Sequence, residues 1–419
     1  MPKTEVREAA VRGASTRRVA WLLGPAFVAG VAYLDPGNVA SNMTAGARFG
    51  YLLVWVVVIG NVMAWLIQYL SAKLGIVTGL SLPETLGRRI RSPWGRRAYW
   101  LQAELVAMAT DIAEVIGGAV ALNLLFGVPL VWGGLATGVV SLALLVLQSR
   151  GGARPFEFVV IGLVAIIAIG FAYGVFIAPP DGGAVVGGLL PRFEGTDSVL
   201  LAASILGATI MPHAIYAHSA LARDRFRSGG SDAGFGTRRL LRATRWDVTI
   251  AMAIAGTVNL CILLLAAANL AGVPGTDSLE GAHAALAQNL GGMVATLFAV
   301  GLLASGLAST SVGAYAGAEI MHGLLRVRVP LVARRLVTLV PALVILAIGV
   351  DPTLALVLSQ VVLSFGIPFA LIPLVAVTAR RDVLGEHRNR PLTTAAGVVA
   401  SVFLVTLNGI LLWLVFTGG

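Results

Sequence analysis

Two short stretches of this sequence carry residues that could bind an ion. Leu34-Asp35-Pro36-Gly37-Asn38 lies near the middle of one apolar run, and Gly207-Ala208-Thr209-Ile210-Met211-Pro212-His213 near the middle of another. Proline lacks a backbone donor and glycine disfavours helix, so each run is expected to be a helix broken at its centre. Unwound backbone exposes carbonyl oxygens, to which Asp35 adds a carboxylate, Asn38 an amide oxygen and Met211 a thioether sulfur. Oxygen donors alone would suit magnesium or calcium, whereas a sulfur tilts the preference towards manganese, iron, cobalt and cadmium. Asp35 and Asn38 are three residues apart, near enough to share one ligand across a tight break. Met211 by itself would more simply fill a gap in the core, but its place at the second break favours ligation. When the two prolines are aligned, Met211 falls on Asp35 at an offset of 176 residues. His213 could act as a ligand or a proton carrier, while His218 reads as a hydrogen-bonded packing residue.

A second set of residues suits proton movement. Glu104, Asp111 and Glu114 are spaced seven and three apart, so they share one helical face. Glu114 is expected near the depth of Asp35, with Glu104 about 15 Å nearer one aqueous face at 1.5 Å per residue. A line of acids from mid-membrane to water is what a proton relay requires. Arg334 and Arg335 open a later run at the same end and could pair with Glu104 or Asp111. The competing reading is a purely structural ion-pair network.

The elements that must position these groups are membrane helices. The chain has 419 residues, 57% of them apolar and only 12% charged, against roughly 25% charged in a soluble domain. That composition argues against a soluble enzyme, a disordered chain or a nucleic-acid binder, despite the net charge of +10. Apolar segments fall at 19–44, 51–77, 100–126, 129–148, 156–178, 197–222, 247–270, 289–323, 331–349, 352–378 and 391–417. These are long enough for about eleven spans at about 20 residues each. The run at 289–323 is too long for one straight span, so part of it should tilt or extend beyond the membrane. A leader peptide is not expected, because the first apolar stretch continues well past leader length. With the N-terminus inside, 28 of the 30 lysines and arginines fall on the cytoplasmic face, leaving Arg48 and Arg192 outside. The expected topology is therefore a cytoplasmic tail at 1–18, a single transporter domain at 19–419 and an extracytoplasmic C-terminus in the cell membrane. Five segments separate the two breaks, so the halves at about 19–178 and 197–378 would be inverted repeats, with 391–417 as an extra helix. Paired broken helices in inverted repeats point to a transport site at mid-membrane. The single cysteine, Cys261, excludes a disulfide within the chain and a multi-thiolate metal site.

The two motifs together resemble the paired signatures of the Nramp family, the proton-coupled manganese and iron transporters. Further similarity lies in Thr110-Asp111-Ile112-Ala113-Glu114, in Ala304-Ser305-Gly306 with Ser309-Thr310-Ser311, and in Ser359 through Phe365. The resemblance implies an all-α LeuT-type fold of five-plus-five inverted repeats and an eleventh helix, with helices 1 and 6 broken. It implies metal ligation by Asp35, Asn38 and Met211, with the Ala32 and Ala208 carbonyls and the Gln360 side chain contributing in alternate conformations. It also implies a proton route through Asp35, Glu104, Asp111, Glu114, His213, Arg334 and Arg335. The chain departs from the family at Ala214, where asparagine is usual, and at Glu319, where glutamine is more familiar.

The expected function is proton-coupled symport of divalent transition metals, with manganese the expected cargo, then iron, cobalt and cadmium. The alternative is a same-fold carrier of magnesium or an amino acid. A magnesium carrier should not need Met211, and an amino-acid carrier should not place an acid in the break. No resident cofactor, nucleic acid or obligate protein partner is expected. No HExxH or GxSxG motif suggests an intramembrane enzyme, and no GxxxxGK[ST] loop suggests an ATP-driven pump.

Overall fold

The computed structural model describes residues 24–151, 153–227, 236–327 and 329–417. The expected tail at 1–18 and the first residues of segment 1 lie outside this range. The described residues contain helices and connecting loops and no strand. Segment 1 is two helices, α1 (Pro25–Val31) and α2 (Pro36–Phe49), separated by a 3₁₀ turn at Ala32–Leu34. Segment 2 is α3 (Val54–Thr78), followed by the short α4 (Leu82–Arg89). Segments 3, 4 and 5 are α5 (Pro93–Phe126), α6 (Leu130–Gly151) and α7 (Ala153–Ile177), after which comes the single-turn α8 (Gly182–Gly187). Segment 6 is again two helices, α9 (Gly195–Thr209) and α10 (Pro212–Arg227). Segment 7 is α11 (Thr237–Asn269), and the short α12 (Leu279–Leu290) precedes segment 8, α13 (Gly292–Ile320), which ends in a π turn at Met321–Leu325. Segments 9 and 10 are α14 (Leu331–Ala347) and α15 (Pro352–Ala379). The one-turn α16 (Arg381–Leu384) leads to segment 11, α17 (Pro391–Thr417).

Seven of these segments, counting α9 and α10 as one, are long and apolar enough to cross a membrane by length and composition. The unusually long run at 289–323 has a simple explanation. Gly291 adopts φ 93°, a left-handed conformation that side chains resist, and this separates α12 from α13. The run thus contains the end of one helix and all of the next.

The packing has the symmetry of an inverted repeat. Exchanging segments 1 and 6, 2 and 7, 3 and 8, 4 and 9, and 5 and 10 converts one set of neighbours into the other. The contact of α2 with α11 matches that of α10 with α3, and α13 with α7 matches α5 with α15. The pairs α5–α13, α3–α11 and α6–α14 map onto themselves. Segment 6 lies at the centre, with 94% of its most apolar window buried. By contrast, α17 keeps Val399, Trp413 and Phe416 exposed, as an outer helix facing lipid would.

Loop contacts divide the molecule into two ends. Arg48 pairs with Asp197, the Trp55 N–H donates to the Gly188 carbonyl at 3.0 Å, and the Leu279 N–H donates to Thr353 at 2.9 Å. The Thr44 hydroxyl near the end of α2 donates to the Asp277 carbonyl at 3.2 Å and joins the two pairs, so these bonds gather the loops after segments 1, 5, 7 and 9. At the other end Arg223 pairs with Glu84 at 2.6 Å and Lys73 donates to Asn389 at 3.0 Å, gathering the loops after segments 2, 6 and 10. The loops after segments 1, 5, 7 and 9 therefore share one end and those after segments 2, 6 and 10 the other.

Candidate functional site

Each break follows from a proline. Carbonyl oxygens of residues 32 and 208 would, in continuous α-helix, accept from residues 36 and 212, and both are prolines without an N–H. In the first break Asp35 caps α2, its Oδ1 accepting the Asn38 backbone N–H at 2.8 Å. Pro36 takes the first helical position, where a missing donor does no harm. Pro212 does the same for α10, but Met211 has no side-chain oxygen to cap with. The helix ends facing the breaks offer two kinds of pole. The carbonyl ends of α1 and α9 are negative, and the amide ends of α2 and α10 are positive.

Side chains from other helices satisfy the first break. The Asn259 Nδ2 donates to the Tyr33 carbonyl at 2.9 Å, and the Ser305 hydroxyl donates to the Leu34 carbonyl. Asp247 accepts from the Gly24 and Ala26 N–H groups at the start of α1. The tight packing also has its small residues. A Cβ on Gly207 would lie 1.9 Å from the Gln360 carbonyl oxygen, so glycine lets α9 meet α15.

Hydrogen bonds bring three of the expected residues, Asn38, Ala208 and Gln360, together around Asp35. The Asn38 Nδ2 donates to Asp35 Oδ1 at 3.0 Å and to the Ala208 carbonyl at 2.8 Å, which joins the two breaks. Gln360 Nε2 donates to Asp35 Oδ2 at 3.3 Å. Asp35, Asn38, Ala32, Ala208, Met211 and Gln360 are all fully buried. Asn38 Oδ1 and Gln360 Oε1 have no hydrogen-bond partner. Both amides therefore aim N–H groups at oxygens a cation would seek, while their own oxygens remain unused. A half-turn of each amide would replace donor by acceptor. Met211 and Ala32 lie at the breaks without a hydrogen bond to the carboxylate. Among the described residues no group of three His, Cys, Asp or Glu forms a metal cluster; the groups joined at the breaks are the Asp35 carboxylate, the Asn38 and Gln360 amides and the Ala208 carbonyl.

The acids of α5 meet the two arginines of α14. Arg334 contacts Glu104 at 3.0 Å and Asp111 at 2.9 Å. Arg335 contacts Asp111 at 2.9 Å and Glu114 at 3.0 Å, and also donates to Ser141 and Thr310. Glu114 sits at the level of the first break, since a Cβ on Gly117, three residues further along α5, would overlap Pro36. His213 lies between the two sets, its Nδ1 within 3.1 Å of the hydroxyl of Thr110, which precedes Asp111. His218 hydrogen-bonds Gln68 at 2.6 Å, in keeping with a packing role.

The sequence reading missed Asn259 and Tyr33, and also a second ion-pair group. Arg223 on α10 pairs with Glu84, with Asp224 at 2.8 Å and with Glu319 at 3.1 Å. Glu319, noted only as a departure from the family, thus ties α13 to α10 and α4. A polar asparagine in the middle of segment 7 was the available signal for Asn259. Nothing in the local sequence brings residues 84, 223 and 319 together.

Comparison with known proteins identifies the family and the fold. Residues 26–414 match the family model described as natural resistance-associated macrophage protein-like (Nramp). The chain is 59% identical over 416 residues to the divalent metal cation transporter MntH of Mycobacterium tuberculosis, covering 99% of this chain and 96% of that protein. It is 48% identical to the divalent metal cation transporter MntH of Deinococcus radiodurans, covering 95% and 90%. A solved manganese transporter of Eremococcus coleocola superposes with a TM-score of 0.81 at 33% identity, covering 94% of this chain and 86% of that one. At 12% identity, MhsT in complex with L-phenylalanine shares the fold alone, with a TM-score of 0.62 and coverage of 93% and 97%. The chain is thus an all-α membrane transporter of LeuT-type fold, not an enzyme, and it belongs to the Nramp family.

Proposed function

We propose that this protein moves divalent transition-metal ions, manganese foremost with iron, cobalt and cadmium as further cargo, across the cell membrane in symport with protons. The ion is held at the two breaks by Asp35, Asn38 and Met211, with the Ala32 and Ala208 carbonyls and Gln360 taking part as the helices change position. The observation that carries this reading is the pair of buried amides, Asn38 and Gln360, that turn N–H groups towards the Asp35 carboxylate while their own oxygens go unpartnered. Such a site exchanges internal hydrogen bonds for metal–oxygen bonds without exposing the carboxylate to water. Met211 favours a transition metal over magnesium.

Protons travel along Glu114, Asp111 and Glu104, with His213 linking this line to Asp35. Arg334 and Arg335 hold the acids in register. Transport is carried out by one domain beginning near residue 19. The N-terminus is cytoplasmic and the C-terminus extracytoplasmic, which follows from the arginine and lysine distribution. The names of the relatives support the divalent-metal part of this reading.

The test is manganese uptake into proteoliposomes with internal pH followed at the same time. Asp35→Ala should abolish metal binding and uptake together, because neutral donors do not offset the desolvation of a divalent ion. Undiminished uptake by a well-folded Asp35→Ala protein would overturn the site.

A further inference from the structure

Away from the breaks and the acid line, the densest cluster of unused charge lies at the arginine-rich end. A cavity of about 400 Å³ is lined there by Lys73 of α3, by Arg238, Arg242 and Arg245 of α11, and by Arg388 and Arg390 ahead of α17. The three α11 arginines are four and three residues apart and form one stripe. Glu386 pairs with Arg238 at 3.3 Å and approaches His387 at 3.9 Å, but Arg238 is 84% exposed. Among the described residues no carboxylate pairs with Lys73, Arg242, Arg245, Arg388 or Arg390.

Neutral groups hold the cations in place instead. Lys73 is only 7% exposed, and its Nζ donates to Asn389, which is itself fixed by Thr378. The Arg245 guanidinium lies 5.2 Å from the centre of the Tyr69 ring, and Tyr69 stacks on Trp65. Like charges gathered in one cleft repel each other unless an anion enters.

A second cavity adjoins the first through Arg388. It measures about 580 Å³ and is lined by Ala379, Pro391, Val398 and Val399. Val398 and Val399 are 49% and 68% exposed on the outer helix α17. A basic cleft that opens into an apolar groove on a lipid-facing helix has the two-part chemistry of a phospholipid. A free phosphate would use the same cations but would have no use for the groove.

We propose that this cleft binds an anionic phospholipid, its phosphate among Lys73, Arg242, Arg245, Arg388 and Arg390 and an acyl chain in the groove along α17. The lipid would join α3 and α11, which pack on the broken helices, to the last helix of the chain. Basic pockets between membrane helices on the cytoplasmic side are suited to such headgroups.

The test uses the full-length protein, delipidated in detergent and titrated with phosphatidylglycerol, phosphatidylcholine or inorganic phosphate. Thermal stability and lipid retention by native mass spectrometry are the two readouts. Phosphatidylglycerol should raise the melting temperature by several degrees and stay bound, whereas phosphatidylcholine and phosphate should do neither. The triple change Arg242→Gln, Arg388→Gln and Arg390→Gln should weaken retention by on the order of a hundredfold. The single changes should give graded losses and serve in its place if the triple variant does not fold. A control with Arg88→Gln, Arg91→Gln and Arg97→Gln removes the same charge from exposed positions at the same end and should retain the lipid. Equal losses in the two triple variants would reduce the effect to general surface attraction and overturn the proposal. An equal response to phosphate alone would assign the cleft to a soluble anion and overturn the lipid.

Discussion

Asp35 has two roles in one side chain. It caps α2 through the Asn38 N–H, and it presents the one carboxylate at the break. Met211 holds the corresponding position of the second break but contributes no cap. Its replacement should therefore leave the backbone of the break intact and act on the choice of ion. Met211→Ala should keep most manganese uptake, because water can replace a weak sulfur ligand. Calcium and magnesium, which prefer oxygen, should gain on cadmium. Competition of calcium and cadmium against manganese measures this directly, and an unchanged ratio would return Met211 to core packing.

At the scale of elements, α5 and α14 make a buried ionic seam whose purpose can be separated from its stability. Asp111→Asn and Glu114→Gln keep shape and remove the capacity to take up and release a proton. If the seam carries protons, metal binding should persist while proton movement, or its link to metal movement, weakens. If the seam is only structural, Arg334 and Arg335 lose partners inside the membrane, and breaking such a pair costs about 3–5 kcal/mol. Thermal stability and simultaneous metal and proton flux on the same variants decide between these outcomes. Normal stability with altered coupling supports the relay, and lost stability or fluxes like wild type would remove α5 from the mechanism.

The short helix α4 is docked by charge in a different setting. Burial by itself would raise the pKa of Glu84, but the Ser81 N–H at 2.7 Å and the Arg223 guanidinium outweigh it and hold the carboxyl below its ordinary value. A depressed acid stabilises the fold above its unfolded pKa, and that contribution fades as pH falls from the ordinary glutamate range through the lower folded value. Glu84→Gln should consequently be less stable than wild type at neutral pH, and the gap should close on acidification. Melting curves between neutral and acid pH check this; a gap independent of pH would mean that the bond, not the charge, matters.

For the whole molecule, the two groups of loops predict which residues each compartment sees. In a Cys261→Ser background, a cysteine at exposed Val186 should react with an impermeant thiol reagent in intact cells. A cysteine at exposed Arg91 should react only after the membrane is opened. The reverse labelling pattern would invert the proposed topology.

The sequence by itself determined the class of this protein, because membrane insertion is written locally. Hydrophobic length, proline and glycine in Asp35-Pro36-Gly37-Asn38 and Met211-Pro212-His213, and the side on which arginine accumulates are all properties of neighbouring residues. The breaks and the run of acids on α5 were legible for the same reason. Only the tertiary structure decided what closes the breaks and what joins the ends. Asn259 and Ser305 reach the carbonyls of Tyr33 and Leu34 across 226 and 271 residues. Arg223 gathers Glu84 and Glu319 from helices on either side of it in the chain. Those partners are chosen by the packing of inverted halves, where the energy of a buried polar group depends on which helix faces it, and no local pattern encodes that choice.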